Sequence, residues 1–327
     1  MINQEQTIRE LFDVNSKLPV YSKPTFFVVA DKKEWDGVYE PDFIPEIDSN
    51  YCFNPDDLRI VIVGFVSKIP TYLYGNSGVG KTSMIEQFCA RTHRPFMRVQ
   101  HTVGLEESNV VGQWVVKNGE TVFELGPLPY AMLHGMVYCA DEYDFAEPAV
   151  LSIYQSVLEG KPLIIKEADA ANRVIRPHPQ FRFFATGNTN GAGDNTGNYQ
   201  GTRLQNVANY ERFGIVHKVN YLPEEIEKDI ILKKTPIGSL SDGSIQKGLL
   251  DSIIKFAKIM RDSAEGSNPE VQFAPSIRVL VNVANLGWTL GDFRAAFKLA
   301  YINRMNDEMQ AASIKVLEQY IPKEIIE

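Results

Sequence analysis

Eight consecutive residues, Gly75-Asn76-Ser77-Gly78-Val79-Gly80-Lys81-Thr82, combine the side chains and the spacing that hold a polyphosphate. Gly75, Gly78 and Gly80 let the backbone turn sharply and approach phosphate oxygens with no Cβ in the way. The backbone N–H groups exposed in this way point inward and cradle an anion. Lys81 has the reach and the charge for β- and γ-phosphates, and the Thr82 hydroxyl suits Mg²⁺. All eight residues are therefore expected to bind nucleotide, with ATP and Mg²⁺ as the occupants. Such a loop works between a strand and a helix. Tyr72-Leu73-Tyr74 reads as the end of the strand, and residues 82–91 read as the helix, whose positive dipole end faces the phosphates.

Further candidates follow along the chain. Met136-Val137-Tyr138-Cys139-Ala140 is an apolar strand that ends in Asp141-Glu142. Asp141 is suited to hold Mg²⁺ together with Thr82, directly or through water. Glu142 points elsewhere and can orient or deprotonate an attacking water. Phe181-Arg182-Phe183-Phe184-Ala185-Thr186-Gly187 is another such strand, and Asn188 after it can position the water or donate to a γ-phosphate. Beyond a Gly/Asn-rich loop at 189–201, a helix is expected to end in Asn209-Tyr210-Glu211-Arg212-Phe213. Phosphoryl transfer builds charge on the transferred group, and an Arg lent by a neighbouring subunit stabilises it strongly. A solvated surface Arg is the plainer reading of Arg212.

Strands expected at 71–74, 96–100, 136–140, 181–186 and 215–220 alternate with helices, which predicts an α/β fold with a parallel sheet. Asn54, Pro55, Asp56 and Asp57 make a helix start. From residue 244 onward only helical periodicity remains, with candidates at 245–264, 276–286, 291–304 and 307–320. Phe297, Tyr301 and Met305 share one helical face and are expected in the core of that part. Three regions result: an N-terminal accessory region at 1–48 with one strand at 25–30, an α/β core at 49–234, and an all-helical lid at 235–327 after a hinge near Pro236.

The net charge of −8 argues against nucleic acid as the main partner. The longest apolar run, 60–66, is too short to span a bilayer, residues 1–10 carry no signal pattern, and a cytoplasmic location is expected. Cys52, Cys89 and Cys139 show neither a disulfide framework nor zinc spacing, and the five histidines have no metal-site spacing.

In their order, the phosphate loop, Asp141-Glu142, Asn188 and Glu211-Arg212-Phe213 resemble the AAA+ ATPases of the MoxR branch. Within that branch the chain is most similar to the CobS-type ATPase subunits of aerobic cobaltochelatase. The likeness runs from about Ile44 to the C-terminus. It is carried by Ile44-Pro45-Glu46-Ile47-Asp48, Asp141-Glu142-Tyr143-Asp144, Val174-Ile175-Arg176-Pro177-His178-Pro179 and Asn220-Tyr221-Leu222-Pro223. The most specific marker is the loop Gly191-x-Gly193-Asp194-x-x-Gly197-x-Tyr199-x-Gly201-Thr202. Pro275-Ser276-Ile277-Arg278 stands where the family carries Ser-Pro-Arg, and Gly291-Asp292 with Phe297 continues the match.

The resemblance implies a ring, most often a hexamer, with Arg212 as an arginine finger acting on ATP of the adjacent copy. It makes Arg278 a second sensor for the subunit's own γ-phosphate, although Ile277 replaces the family's Pro. A β-hairpin projecting toward the ring pore is implied within 110–125. There Asn118-Gly119 between alternating residues is a strong hairpin signal. A second hairpin would pair 163–165 with 173–175; the plainer reading of both is an edge of the main sheet. In the cobaltochelatase system the partner carries a metal-binding von Willebrand A-type domain, and the outcome is cobalt insertion into a corrin ring. Three other readings stay open: a remodelling ATPase unrelated to cobalt, a nucleotide-dependent scaffold with little turnover, and a DNA translocase.

Overall fold

The computed structural model describes residues 6–23, 41–191, 193, 201–265, 271 and 273–321. The strand expected at 25–30 and most of the Gly/Asn-rich loop, including Asp194, Gly197 and Tyr199, lie outside the described residues. The chain divides into two compact units. The first comprises Met1–Asp48, Pro55–Asn76 and Gly80–Val219, the second Ser49–Asn54, Ser77–Val79 and Asn220–Glu327.

In chain order the first unit carries α1 (Ile8–Phe12), α2 (Pro55–Ser67), β1 (Thr71–Tyr74), α3 (Lys81–Arg91), β2 (Phe96–Gln100), α4 (Glu107–Val111), β3 (Gly112–Lys117), β4 (Glu120–Leu125) and α5 (Pro127–His134). It continues with β5 (Val137–Asp141), α6 (Pro148–Leu151), α7 (Tyr154–Leu158), β6 (Leu163–Ile164), β7 (Val174–Ile175), β8 (Arg182–Gly187), α8 (Val207–Tyr210) and β9 (Ile215–Lys218). Five of these strands form one sheet in the order β2-β5-β8-β1-β9, every pairing parallel. Every residue of β5 and β8 is buried, as central strands of a parallel sheet must be. Although β2 follows β1 in the chain, β5 and β8 lie between them in space. The carboxyl end of β1 is thus a topological switch point, the position where open α/β sheets leave a crevice for a ligand.

All five expected strands are present. β5 and β8 each start one residue later than expected, because Met136 N–H closes α5 on Ala131 O and Phe181 N–H closes a turn on His178 O. Beneath the switch point β1, β5 and β8 share an aromatic core. Tyr72 lies 5.4 Å from Phe213 between ring centres, and Tyr154 lies 5.3 Å from Phe183.

The two hairpins are separate two-stranded sheets and not edges of the main one. β3 and β4 pair from Gly112–Leu125 to Lys117–Glu120. Asn118 (φ 53°) and Gly119 (φ 85°) close them with the left-handed pair that a type I′ turn demands. β6 and β7 pair Leu163 with Ile175 and Ile164 with Val174. The helix expected to end at Phe213 is shorter: Asn206 caps it by accepting from Ala208 N–H, and α8 stops at Tyr210.

The second unit is helical, with α9 (Glu224–Lys234), α10 (Gly243–Glu265), α11 (Ile277–Leu290), α12 (Phe293–Ala300) and α13 (Asp307–Tyr320). Phe297, Tyr301 and Met305 are buried in its core. The helix expected across 291–304 ends at Ala300. Tyr301 leaves helical geometry (φ −136°) and its hydroxyl donates to Phe273 O at 2.7 Å. One buried ion pair ties α10 to α9: Arg261 makes two parallel bonds to Glu227, at 2.9 and 2.8 Å, with its guanidinium 4.1 Å from the Tyr221 ring centre.

Candidate nucleotide-binding site

The phosphate loop leaves β1 at Tyr74 and enters α3 at Lys81. Gly75 has φ 149°, and a Cβ there would lie 2.2 Å from Val219 O. Gly80 (φ 93°) caps α3 in left-handed backbone, so the amide end of α3 opens onto the loop. Both positions require glycine for reasons of backbone geometry alone.

Lys81 is nearly buried and curls back along the loop. Its Nζ donates to Gly75 O at 2.7 Å, to Asn76 O at 3.0 Å and to Asn188 Oδ1 at 3.2 Å. The ammonium therefore sits among neutral acceptors, in a loop bounded by a helix amino end. A phosphate is a stronger partner for it than any of these carbonyls.

Asp141 ends β5 and is 3% exposed. Its Oδ1 accepts from Thr82 Oγ1 at 2.5 Å and from Thr186 Oγ1. Its Oδ2 accepts from Arg98 Nε at 2.8 Å, with Arg98 Nη2 at 2.5 Å. Burial pushes the carboxyl up, but the bonds from Thr186, Thr82 and Arg98 outweigh it and hold Asp141 below the usual carboxylate range. Thr82 Oγ and the Asp141 carboxylate are hard oxygen donors side by side, which fits Mg²⁺. Among the described residues no cluster of three or more His, Cys, Asp or Glu side chains could hold a metal ion. A Mg²⁺ here would take its remaining ligands from phosphate and water, as this ion prefers.

Glu142 adopts left-handed backbone (φ 54°), which ends β5. Its Oε2 accepts from Gln100 Nε2 at 2.8 Å, and its N–H donates to Thr186 Oγ1 at 3.2 Å. Thr186 thus links both carboxylate positions. Asn188 follows β8, with its amide oxygen on Lys81. Its backbone N–H donates to the buried Asp144.

Lys81, Thr82, Asp141, Glu142 and Asn188 are thus brought to one edge of the sheet. Arg212 is not joined to them. Its Nε donates to Glu159 Oε1 at 2.7 Å and its Nη1 to Ala208 O, so the side chain is partly buried and paired within its own chain. Arg278 lies in the second unit, exposed on the first turn of α11. Sequence reasoning missed Arg98, Gln100, Thr186, Asp144 and Glu159. A signal for two of them exists: Arg98 and Gln100 are polar at alternate positions of β2 and so share one face.

The AAA domain family (dynein-related subfamily) matches residues 70–206. The aerobic cobaltochelatase subunit CobS of Sinorhizobium sp. is 32% identical over 316 residues, covering 94% of this chain and 87% of that protein. An uncharacterized protein of Staphylococcus haemolyticus is 30% identical, covering 74% of this chain and 87% of its own length. Among solved structures, the RuvB Holliday junction branch migration motor of Thermotoga maritima aligns with a TM-score of 0.42 at 15% identity, over 81% of this chain and 70% of that one. That distant likeness carries no argument about function. The extent of the match to CobS, together with the AAA domain over the phosphate loop and the strands that follow it, shows that the chain belongs to the AAA+ ATPases of the CobS/MoxR type.

Proposed function

We propose that this chain binds ATP with Mg²⁺ through Gly75, Asn76, Ser77, Gly78, Val79, Gly80, Lys81 and Thr82, hydrolyses it within a ring of copies, and uses the turnover to remodel a partner protein. The observation that carries this reading is the convergence of Lys81, Thr82, Asp141 and Asn188 through direct hydrogen bonds at a sheet switch point. In this reading Lys81 exchanges its loop carbonyls for the β- and γ-phosphates, a stronger charge-assisted pairing. Thr82 and Asp141 would hold Mg²⁺, which when bound neutralises charge on the phosphoryl oxygens. Glu142 takes a proton from the attacking water, whose oxygen bonds to the γ-phosphorus as the bond to the bridging oxygen breaks and ADP leaves. Asn188 orients that water. Arg212 lends its guanidinium to the neighbouring copy, exchanging Glu159 for phosphate, and Arg278 keeps, by resemblance, the role of second sensor.

Phosphate release from wild type, Glu142→Gln and Arg212→Ala, each over a range of protein concentrations, tests the reading. The wild-type rate per chain should rise with concentration. Glu142→Gln should keep nucleotide affinity and lose release by a hundredfold or more, of order the usual contribution of an acid–base group. Equal rates for Glu142→Gln and wild type, or a dilution-independent rate, would refute it.

The identity to CobS over 94% of the chain favours a sharper form, in which the partner is a von Willebrand A-type domain protein and cobalt, as substrate, is inserted into a corrin ring. A cobalt-chelation assay with the cognate large subunit decides this form, and ATP turnover without chelation would leave only the broader one.

A further inference from the structure

Asp144 is a buried carboxylate that the proposed chemistry leaves unused. The left-handed backbone at Glu142 ends β5 and starts a single 3-10 turn, Tyr143–Phe145, closed by Phe145 N–H on Glu142 O. That turn drives Tyr143 and Asp144 inward, to 1% and 0% exposure, while Glu142 stays at the rim. Asp144 Oδ2 accepts three hydrogen bonds, all from the two residues after β8: Asn188 N–H at 2.8 Å, Thr189 N–H at 2.8 Å and Thr189 Oγ1 at 3.0 Å. Its Oδ1 has no hydrogen-bond partner among the described residues.

The same short turn is held from a second side. Tyr72 Oη donates to Thr189 O at 2.8 Å. Between the two clamps the backbone at Gly187 is pressed so close that a Cβ would lie 1.9 Å from Tyr72 Oη and 3.0 Å from Asp144 Cγ. Asn188 N–H, Thr189 N–H and Thr189 C=O are thus all tied down at the residue whose amide oxygen meets Lys81 and at its neighbour. A carboxylate buried without a cation costs free energy unless it is fully used as an acceptor. Here its acceptor capacity is concentrated on one oxygen and on one turn.

We propose that Asp144 is a positioning residue for ATP hydrolysis, acting through Asn188: it holds the turn after β8 so that the Asn188 side chain faces the phosphate loop. This rests on the reading of Asn188 as the group that orients the attacking water. Three amide and hydroxyl donors on one desolvated oxygen define both the position and the rotation of the Asn188 backbone. The side chain is then left only its own torsions to find Lys81 and the water. The carboxylate touches no reacting atom.

A double-mutant cycle on the full-length protein tests the proposal, with Asp144→Asn, Asn188→Ala and the pair, reading kcat, KM, nucleotide affinity from a fluorescent ATP analogue, and the unfolding midpoint. Asp144→Asn keeps the shape but replaces charge-assisted bonds with neutral ones, a difference worth about tenfold in kcat. The expected result is a kcat about tenfold lower with KM and nucleotide affinity within a factor of two. In the Asn188→Ala background the same change should lower kcat no further. Restoring the carboxylate one methylene longer, Asp144→Glu, should not recover kcat, because the 0%-exposed site has no room for it. Additive losses in the cycle, or a loss confined to KM and unfolding midpoint, would overturn the proposal. Wild-type kcat for Asn188→Ala would overturn it as well. The ATPase reading would survive that last result provided Glu142→Gln still abolished turnover, so the two failures are distinguishable.

Discussion

Arg98 gives the sharpest test of how the site is held before nucleotide arrives. Its guanidinium makes contacts of 2.8 and 2.5 Å with one oxygen of Asp141, a carboxylate with a side chain only 5% exposed. Charge-assisted hydrogen bonds to a buried carboxylate are worth about 1.5–3 kcal/mol. The Arg98 side chain is 51% exposed, so screening reduces the figure to roughly 1–2 kcal/mol. Arg98→Met keeps the stem packing of the side chain and removes the charge. The nucleotide-free variant should lose about 1–2 kcal/mol at pH 7, a fall in melting temperature of roughly 2–8 °C for a unit of this size. The pH dependence has a definite sign. Asp141 is held below its ordinary value by Thr186, Thr82 and Arg98 against the opposing effect of burial. The stability it lends is therefore complete above the unfolded carboxylate value near 4 and is lost as pH falls through the lower folded value. Denaturant titrations should show the same deficit at pH 7 and pH 5, shrinking below about pH 4. In an Asp141→Asn background Arg98→Met should cost almost nothing. Additive losses in that cycle, or a deficit that persists undiminished in acid, would refute the reasoning.

Other consequences can be checked in parallel. Burial drives His101 down to about 4, against hydrogen bonds to the Val99 and Asp141 carbonyls that raise it, so it is neutral in the fold and its unfolded form charges first. Stability should therefore fall as pH drops from about 6.5 toward 4, by of order 3 kcal/mol in all, and His101→Gln should flatten that slope. Glu227→Ala strands the Arg261 guanidinium in the interior and should destabilise the helical unit by about 3–5 kcal/mol, read as an earlier unfolding step by circular dichroism. Lys81→Met should weaken ATP binding in a fluorescent-analogue titration while leaving the melting temperature within about 2 °C, since its hydrogen bonds to Gly75, Asn76 and Asn188 run to neutral acceptors.

Local stereochemistry explains what was legible early. Glycines at 75, 78 and 80 are needed for positive φ, and Asn118-Gly119 for a type I′ turn; each is a property of two or three adjacent residues and reads directly from the order of the chain. The strands that lead to Asp141 and Asn188 read just as directly, because a central parallel strand is buried on both faces and shows itself as a largely apolar run, even though β8 also buries Arg182 and Thr186. Boundaries were less certain. The Asn206 side chain caps the start of α8, which stops at Tyr210 where Phe213 N–H closes a turn on Tyr210 O, and α12 stops at Ala300, where the Tyr301 hydroxyl bonds Phe273, a residue far back in the chain.

The sequence by itself thus determined the phosphate loop, the five strands and the acidic strand end, since all of these are written in short-range spacing, whereas the structure decided that the two hairpins stand apart from the main sheet. Only the tertiary structure decided which side chains meet there. Arg98 and Thr186 reach Asp141 across 43 and 45 residues of chain, and they do so because β5 lies between β2 and β8. Arg212 pairs with Glu159, 53 residues away, for the same kind of reason. Strand order is a global minimum over packing and connection, and no local pattern of residue types encodes it.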